Sequence, residues 1–288
     1  MMLRGFEYRS CHDVATAVSL LQEHGDEARL IAGGTVVVSL IKHGLLQPSV
    51  LVGLEADCGM DTIEPTESGV TIGALATHRV IASSSVVRDR VPLLAAASNK
   101  VASPTIRSMG TIGGNLCYGE SASDPAPALL VAGATLTALG PQGSRTIDIS
   151  DFYEGFYTTT LADDEVLTTL EVPALPDDAT WTYFKWTPRA NEDKPLIGLA
   201  VMLAAGTDGE PVARLAVGGV GDRPVMLTAA SEVLTGSDLS DAAISRAAEA
   251  AATEVEPIED LQGSPDYRRD MLGVWVRRVV QQLRDRGE

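Results

Sequence analysis

Thr111-Ile112-Gly113-Gly114-Asn115-Leu116, running on to Asp124-Pro125-Ala126-Pro127-Ala128-Leu129-Leu130, decides how the rest of this 288-residue chain is read. Its double glycine has a counterpart upstream in Ala32-Gly33-Gly34-Thr35, which follows Arg29-Leu30-Ile31 and opens into Val36-Val37-Val38. Each closes an apolar run and leaves bare backbone where a side chain would stand. Glycine permits positive φ and lets a ligand approach the main chain closely. Successive amides in such a turn form an anion-binding nest that needs no cationic side chain. Together the two read as backbone loops able to grip one diphosphate, although either alone also reads as an ordinary tight turn. Neither is G-x-G-x-x-G or G-x-x-x-x-G-K-[ST], so those phosphate mechanisms do not apply.

Around the first loop the pattern predicts a helix over Asp13 to His24, a strand over Ala28 to Ile31 and a helix over Val36 to His43, a small α/β unit. Around the second it predicts a strand at Gly69 to Ile72 and helices at Thr77 to Ala82, Val91 to Val101 and Pro125 to Val131. Strands at Ala134 to Leu139 and Glu165 to Val172 follow. The polar, proline-bearing stretch from Pro173 to Thr180 is the best boundary in the chain. Beyond it come strands at Thr182 to Thr187, Gly198 to Ala204 and Ala213 to Val220, then helices at Ser240 to Thr253 and Asp266 to Arg284. The last helix carries Met271, Val274, Trp275, Val279 and Leu283 on one side. Arg268, Arg269, Arg277, Arg278, Arg284 and Arg286 read as a solvated basic rim.

A formal charge of -17 argues against nucleic acid or an anionic membrane surface as partner, since both attract clustered Lys and Arg. Cys11, Cys58 and Cys117 are far apart and form no C-x-x-C pair. A zinc site or an iron-sulfur cluster within the chain is not expected, and reduced thiols in a cytoplasmic protein are. His12, His24, His43 and His78 have no metal-motif spacing and read as loop or solvent-facing residues. No run reaches the length of a membrane span, and the start lacks the apolar core of a signal peptide.

With Phe6-Glu7-Tyr8 at the start and Ser264-Pro265-Asp266-Tyr267-Arg268-Arg269 near the end, these segments give nearly the whole chain a family likeness. It resembles the FAD-binding medium subunits of the molybdenum hydroxylases, the group of carbon monoxide dehydrogenase and xanthine dehydrogenase. The resemblance implies an α+β fold: a two-subdomain FAD-binding domain of the PCMH type, residues 1–55 and 56–176, then a C-terminal α/β domain, 177–288, whose antiparallel sheet packs on helices. It implies FAD as cofactor, an iron-sulfur small subunit and a molybdopterin large subunit as partners, and two copies of each subunit in the assembly. FAD would pass electrons from the clusters to an external acceptor, with NAD, quinone and oxygen all left open. No residue of this chain is required as acid, base or nucleophile.

Carried over position by position, the resemblance places the flavin nucleotide against Leu30, Ile31, Ala32, Gly33, Gly34, Thr35, Val36 and Val37. The second loop contributes Thr111, Ile112, Gly113, Gly114 and Asn115. Asp124 matches an acid that takes hydrogen bonds from the adenosine part, Val101 an apolar position near the adenine, Leu167 a strand residue behind the isoalloxazine, and Lys185 a lysine reaching the flavin from the C-terminal domain. By residue type alone, Asp124 also reads as a helix N-cap and Lys185 as a solvated strand residue. Val36 departs from the Ser or Asp common in the family, which leaves only a backbone contact there, and Glu192-Asp193-Lys194-Pro195 replaces a more usual aspartate-plus-small-apolar run. Two other readings stand beside this one. A stand-alone FAD oxidase or reductase would need a base beside the ring, for which Tyr118, Tyr153, Tyr157 and Glu120 are candidates; a non-catalytic acidic scaffold would use both glycine pairs only as turns.

Overall fold

The computed structural model describes residues 5–190, 192–206 and 210–287. It opens with β1 (Glu7–Cys11), α1 (Val14–His24), β2 (Ala28–Ile31), α2 (Val37–Lys42) and β3 (Val50–Leu54). The three strands form a parallel sheet in the order β1-β3-β2. Parallel neighbours need crossovers, and α1 and α2 supply them. Asp13 starts α1 by accepting a hydrogen bond from the Thr16 amide at 2.7 Å, and the helix buries Ala17, Val18 and Leu21. The first glycine loop leaves the C-terminal end of β2, the end where parallel α/β sheets receive ligands.

The middle of the chain holds β4 (Ile63–Pro65), β5 (Gly69–Gly73), α3 (His78–Ser83), α4 (Ser85–Arg90), α5 (Pro92–Lys100), α6 (Pro104–Met109), α7 (Ile112–Cys117) and α8 (Pro125–Ala132). β6 (Thr135–Gly140), β7 (Gly143–Asp148), β8 (Tyr153–Gly155), β9 (Thr158–Thr159) and β10 (Val166–Pro173) follow. An antiparallel sheet runs β4-β5-β10-β6-β7. Every residue of α8 is buried. A helix apolar all round must be covered on all sides, and α8 accordingly packs against α5 and against two later strands, Ile197–Ala205 and Pro211–Gly218.

Those last strands belong to the C-terminal sheet: β11 (Thr180–Trp186), β12 (Ile197–Ala205), β13 (Pro211–Gly218) and β14 (Val225–Met226), antiparallel in that order. α9 (Thr228–Leu234), α10 (Asp241–Glu254) and α11 (Pro265–Gly287) complete the chain. Ile197, Leu199, Val201 and Leu203 of β12 pack with residues of these helices, while Ala200 and Met202 join the core built around α8. With both faces covered, β12 reads as a continuous apolar run. The α+β architecture, with an antiparallel sheet on helices at the C-terminus, is thus the one the resemblance implies. One expectation fails at α11. Arg268 is not on a solvated rim but 1% exposed, because it lies at the start of the helix where three loops converge.

Candidate cofactor site

One cavity of about 540 Å³ opens where the parallel sheet, the middle helices and β11 meet. Leu30 and the whole of Ala32 to Val37 border it, as do Val101, Thr111, Gly113, Gly114, Asn115, Asp124, Leu167 and Lys185. Ile31 and Ile112 do not. Ile112 is fully buried in the core, and Ile31 turns its side chain beneath Gly34, with Cδ1 3.4 Å from where a Cβ there would be. Residues separated by more than a hundred positions, such as Gly34 and Lys185, therefore share one concavity.

The two glycine loops differ in kind. In the first, Gly34 has φ +69°, the left-handed conformation glycine tolerates at no steric cost. Among the described residues the amides of Gly33, Gly34, Thr35 and Val36 have no acceptor within the protein, so four N–H donors of cavity-lining residues are unclaimed. The second loop is not a nest but the first turn of α7, capped by Thr111, whose hydroxyl accepts from the Gly114 amide at 3.1 Å. Its other amides are spent: Ile112 on Ala76 O at 2.9 Å, Gly113 on Ala74 O at 2.8 Å and Asn115 on Thr111 O at 3.0 Å. The expectation that successive amides of the second loop form an anion-binding nest is corrected accordingly. The first loop offers donors, and the second offers the exposed, side-chain-free surface of Gly114.

Asp124 sits at the head of α8 without capping it; the amide of Ala126 donates instead to Ser123 Oγ at 3.3 Å. Because α8 is buried all round, its first turn carries Asp124 inward, where its carboxylate accepts from Tyr183 Oη at 2.7 Å and Lys185 Nζ at 3.0 Å. Burial pushes the Asp124 carboxyl up to about 6 against the opposing pull of Lys185. Lys185 also donates to Lys100 O at 2.9 Å, and its side chain is 4% exposed. The solvated-strand reading fails because β11 is covered on both faces: Tyr183 joins the α8 core, while Phe184 and Trp186 stack near Trp275 of α11.

Further residues border the cavity that the sequence did not assign to the cofactor. His78 is 2% exposed rather than solvent-facing, its Nδ1 has no partner among the described residues, and burial, assisted by the Arg107 charge, lowers its pKa to about 4. It is neutral at physiological pH. No spacing rule could have found it, because it is placed by the Thr77 cap of α3 and by the pairing of Thr77 with Thr111. At one rim Tyr157 Oη donates to Glu120 at 3.2 Å, Lys194 pairs with the same carboxylate, and the Tyr118 and Tyr157 rings lie 4.9 Å apart. Burial and the Glu120 charge raise the pKa of Tyr157, so its phenol stays protonated and is no base at neutral pH. Tyr153 is buried in the core, away from the cavity lining. Among the described residues no group of His, Cys, Asp and Glu could hold a metal ion, and no helix is long and apolar enough to cross a membrane.

Residues 4–175 match the family described as the FAD binding domain in molybdopterin dehydrogenase, and residues 182–283 match the CO dehydrogenase flavoprotein C-terminal domain. The chain is 34% identical to the carbon monoxide dehydrogenase medium chain of Hydrogenophaga pseudoflava, covering 96% of each, and 32% identical to the nicotine 6-hydroxylase medium subunit of Paenarthrobacter nicotinovorans, covering 97% of this chain and 98% of that one. Its fold superposes on a solved structure of the H. pseudoflava carbon monoxide dehydrogenase with a TM-score of 0.94, at 33% identity and 99% coverage of both chains. A cavity bordered by both glycine loops, in a chain matched end to end by these proteins, makes it a member of the FAD-binding medium subunits of the molybdenum hydroxylases, oxidoreductases with FAD as this subunit's cofactor.

Proposed function

We propose that this chain is the electron-transfer subunit of a molybdenum hydroxylase complex, receiving electrons from the iron-sulfur clusters of a small subunit and delivering them through FAD to an external acceptor, while a molybdopterin large subunit oxidises the substrate. The single observation that carries the reading is the set of four amides, Gly33 to Val36, that find no acceptor among the described residues, on residues lining the same cavity as the bare Gly114. The residues fit FAD. Hydrogen bonds from fixed N–H groups to a charged acceptor are the strong ones, which suits a diphosphate in a protein whose own net charge of -17 repels it. A Cβ on Gly114 would meet only Thr111 Oγ1, so the space above it is left for the ligand.

When bound, FAD supplies a ring that takes up one or two electrons. The chain's own residues bind and orient it. Gly33 to Val36 hold the diphosphate, Gly114 lets it approach, and Leu167 and Val101 give apolar contact. Asp124 and Lys185 form the polar end of the cavity. Tyr157, kept protonated, and Glu120, engaged by Tyr157 and Lys194, form no acid-base pair aimed at a substrate. We place the protein in the cytoplasm, where the free Cys11, Cys58 and Cys117 stay reduced.

The test is affinity purification of the tagged chain from its native host. The reading expects stoichiometric FAD and two co-purifying polypeptides, one with iron-sulfur clusters and one with a molybdenum cofactor. It also expects the substrate of the complex to reduce the flavin of the assembly but not of the isolated chain. A colourless chain indifferent to added FAD would overturn the reading. Substrate turnover by the chain alone would favour a stand-alone flavoenzyme instead.

A further inference from the structure

We infer that Arg268, remote in sequence from the FAD cavity and absent from its lining, is a positioning residue for its interdomain rim. The inference rests on the reading of the cavity as the FAD site. The buried guanidinium gathers three loops: Nη1 donates to Leu196 O at 3.4 Å and to Gly219 O, and Nη2 bonds Asp260 Oδ1 at 2.6 Å. Two of these loops lead directly to the cavity. Leu196 closes the β11–β12 hairpin loop, its amide on Trp186 O at 2.9 Å, and that loop carries Glu192, Asp193 and Lys194 to the cavity edge. Gly219, at φ +82°, donates its amide to Ser121 O at 2.7 Å and lies so close to the hairpin loop that a Cβ on it would fall 2.5 Å from Pro195 O.

Ser121 begins the segment whose Ala122, Ser123 and Asp124 form the cavity wall, directly after Glu120. Lys194 crosses from the hairpin loop to pair with Glu120, joining the two rims above the fixed base. The knot therefore has a buried cation at its foot and an exposed ion pair at its top. A guanidinium suits the foot because its planar, rigid fork directs several N–H groups at once, whereas an ammonium is a point charge with freely rotating donors. Arg268 thus sets the separation between Lys194 and the wall carrying Glu120 and Asp124, acting on the cofactor through those residues and not by contact.

The test titrates FAD into the full-length apoprotein by flavin fluorescence, comparing the native chain with Arg268→Lys, Lys194→Ala and the double variant. Hydrogen exchange of the segments 187–196 and 119–123 is followed in parallel. We expect Arg268→Lys to weaken FAD binding about tenfold, within the range by which remote coupled residues act, and to speed exchange in both segments. The double variant should be scarcely weaker than the weaker single one, because both changes release the same rim. If Arg268→Lys does not fold, Asp260→Asn, which removes only the carboxylate anchor, should shift FAD affinity in the same direction by less and be equally non-additive with Lys194→Ala. An unchanged affinity in the folded variant, or full additivity with Lys194→Ala, overturns the inference while leaving the FAD site intact. A native chain that binds no FAD overturns the functional reading itself, and the inference with it.

Discussion

Gly33 rests on Met109: a Cβ built on Gly33 would lie 1.9 Å from the Met109 carbonyl oxygen and 2.7 Å from its carbonyl carbon. Met109 ends α6, just before the second loop, so the first glycine pair is seated on the backbone that leads into the other. The two glycines of Ala32-Gly33-Gly34-Thr35 therefore do separate work. Gly34 adopts the left-handed turn, and Gly33 lets the parallel sheet's loop close against the middle helices. Since the obstacle is backbone on both sides, neither can swing aside. Gly33→Ala should cost about 1–3 kcal/mol, the usual penalty of overpacking, and should abolish stoichiometric FAD by parting the loops. Denaturant unfolding of the apoprotein and the flavin-to-protein absorbance ratio measure the two effects. An Ala variant that keeps full flavin content would show that the loops need not touch.

Adjacent glycines in the second loop should respond in opposite ways. A Cβ on Gly113 would come within 2.6 Å of Ala74 Cβ and 2.8 Å of Ala74 O, inside the core. On Gly114 it would meet only Thr111 Oγ1, at 2.9 Å, a hydroxyl that can yield slightly. Gly113→Ala should destabilise the apoprotein by about 1–3 kcal/mol. Gly114→Ala should leave its stability within about 1 kcal/mol, the helix gain of Ala over Gly offsetting the displaced cap, yet lose FAD because the methyl occupies the cofactor's side. Thermal unfolding with FAD titration separates them. Equal FAD affinity in native and Gly114→Ala protein would move the diphosphate elsewhere.

His78 makes the apoprotein sensitive to mild acid. Its pKa is about 4 in the folded chain against an ordinary 6.5. Between those values the unfolded state binds the extra proton, so stability rises with pH through the window and is lost as pH falls from 6.5 towards 4. The effect amounts to at most about 3 kcal/mol. Replacing His78 with Gln removes the titration. The stability difference between native and His78→Gln protein should therefore be constant above pH 7 and move in favour of the variant below 6.5. A difference that stays flat to pH 4 would mean His78 is protonated without penalty.

Cys117 reports on occupancy. It is exposed to the cavity, whereas Cys11 is buried and Cys58 half-buried. The residue as a whole is exposed, but its sulfur is desolvated by burial, which pushes its pKa up to about 12, so alkylation is slow and needs alkaline conditions. Bound FAD should suppress even that reaction at Cys117 while leaving the rate at Cys58 unchanged, which peptide mass mapping resolves. Equal labelling of Cys117 with and without FAD would place the flavin away from α7.

How much could be read in advance follows from how far each feature acts along the chain. Helices with an internal period, such as α1 and α10, were legible because their own residues encode the buried face, and β12 because an unbroken apolar run marks a strand covered on both sides. β1 and β3 were not: β3 is the centre of the parallel sheet, but Val50–Leu54 is too short to carry a period that separates strand from helix. The glycine pairs announced themselves, yet the sequence could not tell a free-amide turn from a capped helix start, since that depends on Ala76 and Ala74 accepting from Ile112 and Gly113 and on Thr111 accepting from Gly114. Lys185 and Arg268 read as surface residues by pattern. Both were drawn inside by neighbours far along the chain, Asp124 in one case and Leu196, Gly219 and Asp260 in the other.

The buried pair of Asp124 and Lys185 gives a prediction about what holds the cavity's polar end. Removing one charge leaves the other without a counter-ion where both side chains are almost fully buried, which typically costs about 3–5 kcal/mol, whereas replacing both with apolar residues of similar volume is often neutral or stabilising. Asp124→Asn should therefore destabilise the apoprotein strongly, since Tyr183 Oη and Lys185 Nζ keep only a neutral acceptor. Asp124→Leu combined with Lys185→Met should recover most of that loss. FAD binding should separate from stability in this pair: the double variant, though folded, should bind FAD weakly, because the polar groups at that end of the cavity are gone. Denaturant unfolding and FAD titration of the three proteins make the comparison. A double variant as unstable as Asp124→Asn would mean that Tyr183 and Lys100, not the ion pair, organise this end of the site.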